Sequence, residues 1–420
     1  MSEPEPRGVP LVTSKTRAES TNIETIVSRL RSKRIVIPDY QRDAEQWDFR
    51  KESLFIESLL NNLTIPAFFF AERGDGITEV VDGQQRLSTI LKYSNDDFCI
   101  SNDEGIVYLS PQSTQYVGKK YTKLSANLQN VFNDYPLTII YLPQNLELGT
   151  KLEIFRRINE GGTPLTAHDI RLSYYSESKS VYLVRLAGIY ANNSSAKRMI
   201  ESASMRGVNN PWDKHPDACR AWQDWWEGKA MAKGQTPSEM FLWYLILVHR
   251  ESIDSLLLNA NSMKHLPVSF RGTTEEALDI YCAQLQYTDL NGGTDVLPTC
   301  GKGLEEDFDY FAQGIGLILS YGLSGVSVDK YKQTALMIGA AAELNISLNE
   351  LSHDSWDAIQ QFLKAPRQAG ERWLKDLGGY PEQKGRWTGR KGQKSQCDMA
   401  VRLLERIVEQ YGYRGEDTML

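Results

Sequence analysis

Thr78-Glu79-Val80-Val81-Asp82-Gly83-Gln84-Gln85-Arg86-Leu87-Ser88-Thr89-Ile90-Leu91 changes its periodicity midway. Thr78 to Val81 reads as a short strand and Asp82-Gly83 as a turn. Leu87, Ile90 and Leu91 then fall at i, i+3 and i+4, the buried stripe of a helix starting near Gln84. A strand that turns directly into a helix leaves unpaired N–H groups and the positive end of the helix dipole facing the turn. Arg86 adds a planar five-donor fork suited to phosphate oxygens. The local chemistry is that of an anion site.

Elements of the same two kinds flank this unit. Ile23, Ile26, Val27 and Leu30 have helical spacing, and residues 34 to 37 read as a strand ended by Pro38. Ile56, Leu59, Leu60 and Leu63 predict a helix over about 50 to 62, followed by a strand from Ile65 to Ala71. The polar, turn-rich stretch 95 to 121 reads as a peripheral insertion. A helix at 124 to 132, a strand at 137 to 142 and a helix at 148 to 159 come next, the last closed by Gly161-Gly162. Thr166 to Asp169 resembles a capping box with Asp in place of Glu. The expectation is one α+β domain over 20 to 175, preceded by a flexible arm at 1 to 19 that is rich in proline and charge. From 176 to 420 β-branched runs nearly vanish, and Phe241 to Val248, Leu336 to Leu344 and Val401 to Ile407 are the strongest apolar stretches. That half is expected to be mainly helical, with Asn291-Gly292-Gly293 as a candidate divider between two subdomains.

Composition narrows the function classes. The chain has 420 residues and a net charge of -7, which argues against wholesale non-specific nucleic-acid binding. Its five cysteines are scattered without a C-x-x-C pair, as in a reducing compartment and unlike a zinc ribbon. The first ten residues lack an apolar signal region, and the longest apolar run, Met240 to Val248, is far short of the roughly 20 residues that span a bilayer. A cytoplasmic protein without membrane contact is expected.

Three polar segments carry a resemblance: Ile37-Pro38-Asp39-Tyr40-Gln41-Arg42, Asp82-Gly83-Gln84-Gln85-Arg86, and Arg156 to Leu165 with Asn159-Glu160-Gly161-Gly162 at its centre. In this order, with Phe55 to Leu60 and Ile65-Pro66 between them, they resemble the GmrSD-type restriction endonuclease N-terminal domain family, whose fold is similar to that of ParB and sulfiredoxin. The resemblance covers about 22 to 175, under half of the chain. It implies binding and hydrolysis of a nucleoside triphosphate (NTP) with Mg²⁺ or another divalent cation, coupled to DNA restriction or phage defence. Carried over by position, Asp82 would coordinate the cation or orient water, and Gly83 would let the backbone approach the phosphate. Gln84, Gln85 and Arg86 would hold phosphate oxygens, which makes Asp82, Gln85 and Arg86 the expected catalytic groups. Tyr40, Gln41 and Arg42 would form the facing wall, and Asn159, Gly161 and Gly162 would close the pocket.

Two departures from the family pattern stand out. Trp47 lies five residues after Arg42, where the family usually has an aromatic residue at four, and Ser88 stands where threonine is common. The five histidines, at 168, 215, 249, 265 and 353, are too dispersed for the His-Asn-His nuclease finger found downstream in DNA-cleaving members. Cleavage, if any, would then come from a separate nuclease or effector subunit or from a site that these motifs do not reveal. Between Glu371 and Lys394 seven basic residues stand against three acidic ones; a solvated loop is the favoured reading, and Lys384, Arg386, Arg390, Lys391 and Lys394 are the candidate phosphate contacts of the competing one, a DNA-binding loop. Trp222, Trp225 and Trp226 share one helical face, which suits core packing better than base stacking. Two other functions stay open beside the NTPase: a metal-dependent nicking nuclease, and a non-enzymatic nucleotide or DNA sensor that recruits an effector.

Overall fold

The computed structural model describes residues 16–37, 47–72, 76–103, 105–109, 113, 115–143, 154, 158, 167–175, 177–191, 194–229, 236–259, 263, 276–292, 296–321, 326–366, 368 and 392–414. The chain divides into two units, 1–165 and 166–420.

The first unit runs β1 (Arg17–Asn22), α1 (Ile23–Arg31), β2 (Ile35–Val36), α2 (Phe49–Leu60), β3 (Phe68–Glu72), β4 (Thr78–Asp82), α3 (Gln84–Ser94), α4 (Ala126–Asp134) and β5 (Pro136–Tyr141). Its strands form one mixed sheet in the order β1-β5-β3-β4-β2. The β1–β5 and β3–β4 pairs are antiparallel, and the β3–β5 and β2–β4 pairs parallel. One helix face after another meets the sheet: Ile23 and Ile26 of α1, Ile56 and Leu59 of α2, Leu87 and Ile90 of α3, and Phe132 of α4 share a core with Phe68, Phe70, Val80, Leu137 and Ile139. Burying each such side chain contributes roughly 1.5–3 kcal/mol.

Three sequence expectations need correction here. Residues 17 to 19, assigned to a flexible arm, belong to β1, where Arg17 pairs with Tyr141 and Asn22 with Pro136. Arg17 to Ser20 are exposed, so no side-chain alternation announces this edge strand, and backbone pairing with β5 holds it. The strand foreseen from Ile65 starts instead at Phe68. Pro66 has no N–H for a ladder, and the carbonyls of Pro66 and Ala67 turn towards Arg86. The stretch 95 to 121 is not peripheral, because Phe98, Ile100 and Tyr116 join the core. The buried Glu57 receives hydrogen bonds from the Leu109 N–H (2.7 Å) and the Ser113 hydroxyl (2.8 Å).

The second unit is helical among the described residues: α5 (Ala167–Tyr174), α6 (Lys179–Ala187), α7 (Ser194–Met205), α8 (Pro216–Trp226), α9 (Thr236–Val248), α10 (Arg250–Asn259), α11 (Glu276–Asn291), α12 (Leu304–Ser320), α13 (Tyr331–Glu343), α14 (His353–Lys364) and α15 (Gln393–Tyr411). The division at 165/166 falls ahead of the boundary read from the sequence at 175, because α5 packs against α9 and α11. Every residue of α9 from Pro237 to Leu247 is buried, as expected of a helix that is apolar all round. It lies against α13, where Gly339 admits the close crossing: a Cβ there would sit 3.2 Å from Leu247 Cβ. Residues 166–420 cluster as one unit, so Asn291-Gly292-Gly293 divides nothing. Trp222 and Trp226 are fully buried, and the indole N–H groups of Trp222 and Trp225 donate to Ile189 O (3.1 Å) and Val326 O (3.0 Å). Their role is packing. Among the described residues no helix is long and apolar enough to cross a membrane.

Two buried thiols are expected to make the helical unit alkali-sensitive. Burial raises the pKa of Cys282 on α11 to about 12 and lifts Cys397 on α15 higher still, so the folded state holds protons that the unfolded chain releases from about pH 8.5. This contribution is complete below that pH and falls away as pH rises towards the folded values. We expect urea midpoints to drop from pH 8 to pH 10, and the drop to shrink in the Cys282→Ala, Cys397→Ala double variant. An unchanged slope would refute the attribution.

Candidate functional site

The strand β4 carries the site to the edge of the core. Its Val80 and Val81 are buried, and the β3–β4 register shifts between Phe69 and Phe70: Val80 faces Phe70, but Asp82 faces Phe69. Val81 is thus one residue too many, a bulge that re-aims the side chain after it. Asp82 emerges 30% exposed at the end of the strand.

Gly83 makes the turn with φ +95° and ψ 11° in the left-handed region, and its carbonyl accepts the Leu87 N–H at 2.9 Å to start α3. Asn22 and Asp48 cap α1 and α2 with their side chains, but no side chain caps α3. The first-turn N–H groups have no acceptor within their own helix, so this end of α3 presents donors and a positive dipole beside the Asp82 carboxylate. An added Cβ at Gly83 would lie 2.3 Å from Phe68 Cδ1 and 3.2 Å from Arg86 Nη2. On its Cα side the glycine therefore makes room for a phenyl ring and a guanidinium of the protein itself.

Arg86 turns inward. Its Nη1 donates to Pro66 O, and its Nη2 donates to Ala67 O at 3.2 Å and to Asp82 Oδ2 at 3.0 Å. The guanidinium carbon lies 4.6 Å from the centre of the Phe68 ring, within cation–π range. Burial pulls the Arg86 pKa below the usual guanidinium value, while Asp82 opposes this by charge and hydrogen bonding. Asp82 Oδ1, by contrast, takes no hydrogen bond among the described residues. The phosphate fork expected from the sequence is engaged by two backbone carbonyls and a carboxylate.

The glutamines differ in their use. Gln85 Oε1 accepts the Trp47 N–H at 3.3 Å, tying the segment before α2 to the first turn of α3. The Trp47 ring stands edge-on to Phe55 at 5.2 Å, against the core. Gln84 Oε1 is buried with no hydrogen-bond partner among the described residues. Tyr40, Gln41 and Arg42 of the first motif and Asn159, Gly161 and Gly162 of the third lie outside the described residues.

A cation at Asp82 would find one carboxylate rather than a protein cage, since no group of three or more His, Cys, Asp or Glu side chains is placed to hold a metal among the described residues. That suits Mg²⁺, which keeps several waters and takes substrate phosphate oxygens as ligands. Sequence reasoning missed Pro66, Ala67 and Phe68. The first two act through backbone carbonyls, which carry no residue signature, although Pro66 just before three phenylalanines does mark an interrupted strand.

Other polar groups have structural uses. His168 and Arg171 are buried in α5, where Arg171 donates from Nη1 to His168 Nδ1 at 3.0 Å and from Nε to Asp279 Oδ1 at 2.7 Å. Arginine cannot accept, so His168 carries its proton on Nε2 and donates it to Ser238 Oγ at 2.9 Å. Of the basic candidates at 384 to 394 only Lys394 is described, and it is ion-paired with Asp254 of α10; Lys384, Arg386, Arg390 and Lys391 lie outside the described residues. A cavity of about 740 Å³ opens between α8, α12 and residues 347–349, but none of the expected site residues lines it.

Residues 23–176 match the family model described as the GmrSD restriction endonuclease, N-terminal domain. This bears out the resemblance carried by the three motifs, and the match runs from the first unit through the whole of α5. Comparison with curated proteins and with solved structures gives no match.

Proposed function

We propose that the Asp82–Arg86 turn binds a nucleoside triphosphate with Mg²⁺ and hydrolyses it, as the nucleotide-dependent part of a DNA restriction or anti-phage defence system. The observation that carries this is the placement of a carboxylate oxygen, Asp82 Oδ1, that takes no hydrogen bond among the described residues, beside the first turn of α3, which its N-cap Gly83 leaves without a side-chain cap. The family match supplies the restriction setting, and the strand-turn-helix position of the motif supports a ParB/sulfiredoxin-like reading of the sheet. Phosphoryl transfer needs mostly positioning and charge stabilisation. The N–H groups of α3 and the Gln84 amide nitrogen donate to phosphate oxygens, and Asp82 Oδ1 holds the cation or orients the attacking water. A bound divalent cation would be held by Asp82 and would supply neutralisation of phosphate charge. Tyr40, Gln41 and Arg42 face this turn in our reading, and Asn159, Gly161 and Gly162 close it. The helical unit contacts DNA through Lys384, Arg386, Arg390 and Lys391, with Lys394 serving Asp254 instead, and a separate subunit cuts in the cytoplasm.

A screen of the four NTPs with Mg²⁺, with and without supercoiled plasmid, tests the proposal. Phosphate release from at least one NTP is expected, with the plasmid left intact. Absence of both binding and hydrolysis refutes it, nicking without nucleotide supports a direct nuclease, and binding without turnover supports a sensor that recruits an effector.

A further inference from the structure

The arginine of the motif is less accessible than the aspartate beside it: Arg86 is 11% exposed and Asp82 30%. Its planar fork reaches Pro66 O, Ala67 O and Asp82 Oδ2 together, and its face covers Phe68. A phosphate drawing Arg86 outward would break these bonds, leave two carbonyls without their donor and remove the cation from the ring. A phosphate at the mouth of α3 meets N–H groups without disturbing any of them. We infer that Arg86 is a positioning residue, which rivets the Pro66–Ala67 backbone to Asp82 and so aims the carboxylate, and that it does not itself hold phosphate.

This rests on the proposed nucleotide site and changes how that site works. Asp82 has two oxygens with separate tasks: Oδ2 is held by Arg86, and Oδ1 faces the ligand. The bulge at Val81 sets where Asp82 leaves the strand, and Arg86 then fixes its rotation. Gly83 belongs to the same device, because any side chain there would displace Phe68 or Arg86. The turn is built before the nucleotide arrives, and electrostatic catalysis favours such preorganisation.

Lysine separates the two roles. As a point charge on a flexible stem it serves a phosphate well, but it cannot bridge three acceptors as a fork does. The experiment compares wild type, Arg86→Lys, Arg86→Ala, Asp82→Ala and the Asp82→Ala, Arg86→Ala double variant in the full chain, by melting without ligand and by kcat and KM for the hydrolysed NTP. Both Arg86 variants are expected to melt below wild type, and the double variant to show coupling between the two positions. Turnover should fall by about a hundredfold through kcat, as for a misaimed group, with KM changed less than about threefold and no rescue by lysine. Wild-type melting together with a raised KM at unchanged kcat would overturn the inference, as would recovery in Arg86→Lys. Should wild type neither bind nor hydrolyse any NTP, the proposed function fails separately. The melting cycle then still decides the rivet, and absence of coupling overturns it.

Discussion

Asp82→Ala is expected to abolish Mg²⁺-dependent phosphate release, with kcat reduced on the order of 10²–10⁴-fold, the range for losing a positioned acid-base or charge-stabilising group. It removes the oxygen that faces the ligand and also the partner of Arg86. A largely buried guanidinium would then lose its carboxylate partner among the described residues, and a group left short of its partner costs about 1–3 kcal/mol. Asp82→Asn separates these losses. The amide oxygen still accepts from Arg86, so melting should stay near wild type, while the neutral side chain no longer attracts a cation. Phosphate-release kinetics at saturating Mg²⁺, paired with melting curves, give the comparison. Wild-type turnover in either variant would remove Asp82 from the chemistry.

The strand-turn-helix was legible because its two periods differ: Val80 and Val81 are buried in a strand, and Leu87 and Ile90 are buried at helical spacing three residues apart. The same logic found α1, α2 and α4, since each buries one apolar face. It failed at β1, whose exposed Arg-Ala-Glu-Ser owes its form to β5, a partner more than a hundred residues away. It failed again at 95 to 121, where Ser53 and Glu57 hold the backbone of residues 101 and 109 from within α2. Buried polar anchors of that kind read as solvated residues in a one-dimensional pattern. At the site, residue types announced an anion cradle, but the direction of Arg86 was hidden. A guanidinium beside a helix start suits a phosphate, and only the carbonyls of Pro66 and Ala67, with no side-chain signature, show that it is already engaged.

Gly83→Ala carries the largest expected loss of stability at the site. The backbone conformation at φ +95° disfavours any L side chain by roughly 1–2 kcal/mol, and the new methyl overlaps Phe68 at 2.3 Å, an overpacking that typically costs about 1–3 kcal/mol. Together these give about 2–5 kcal/mol, a large part of the 5–15 kcal/mol by which domains of this kind are stable, so partial unfolding of the first unit near physiological temperature is expected. Phe68→Leu in the same chain tests the cause, because a shorter side chain relieves the overlap and leaves the backbone strain. The double variant should therefore melt above what the sum of the two single losses predicts. Strict additivity would show that backbone conformation alone requires the glycine. A melting temperature unchanged in Gly83→Ala would mean that Phe68 yields freely, and that neither the ring nor the guanidinium stacked on it is fixed at the turn.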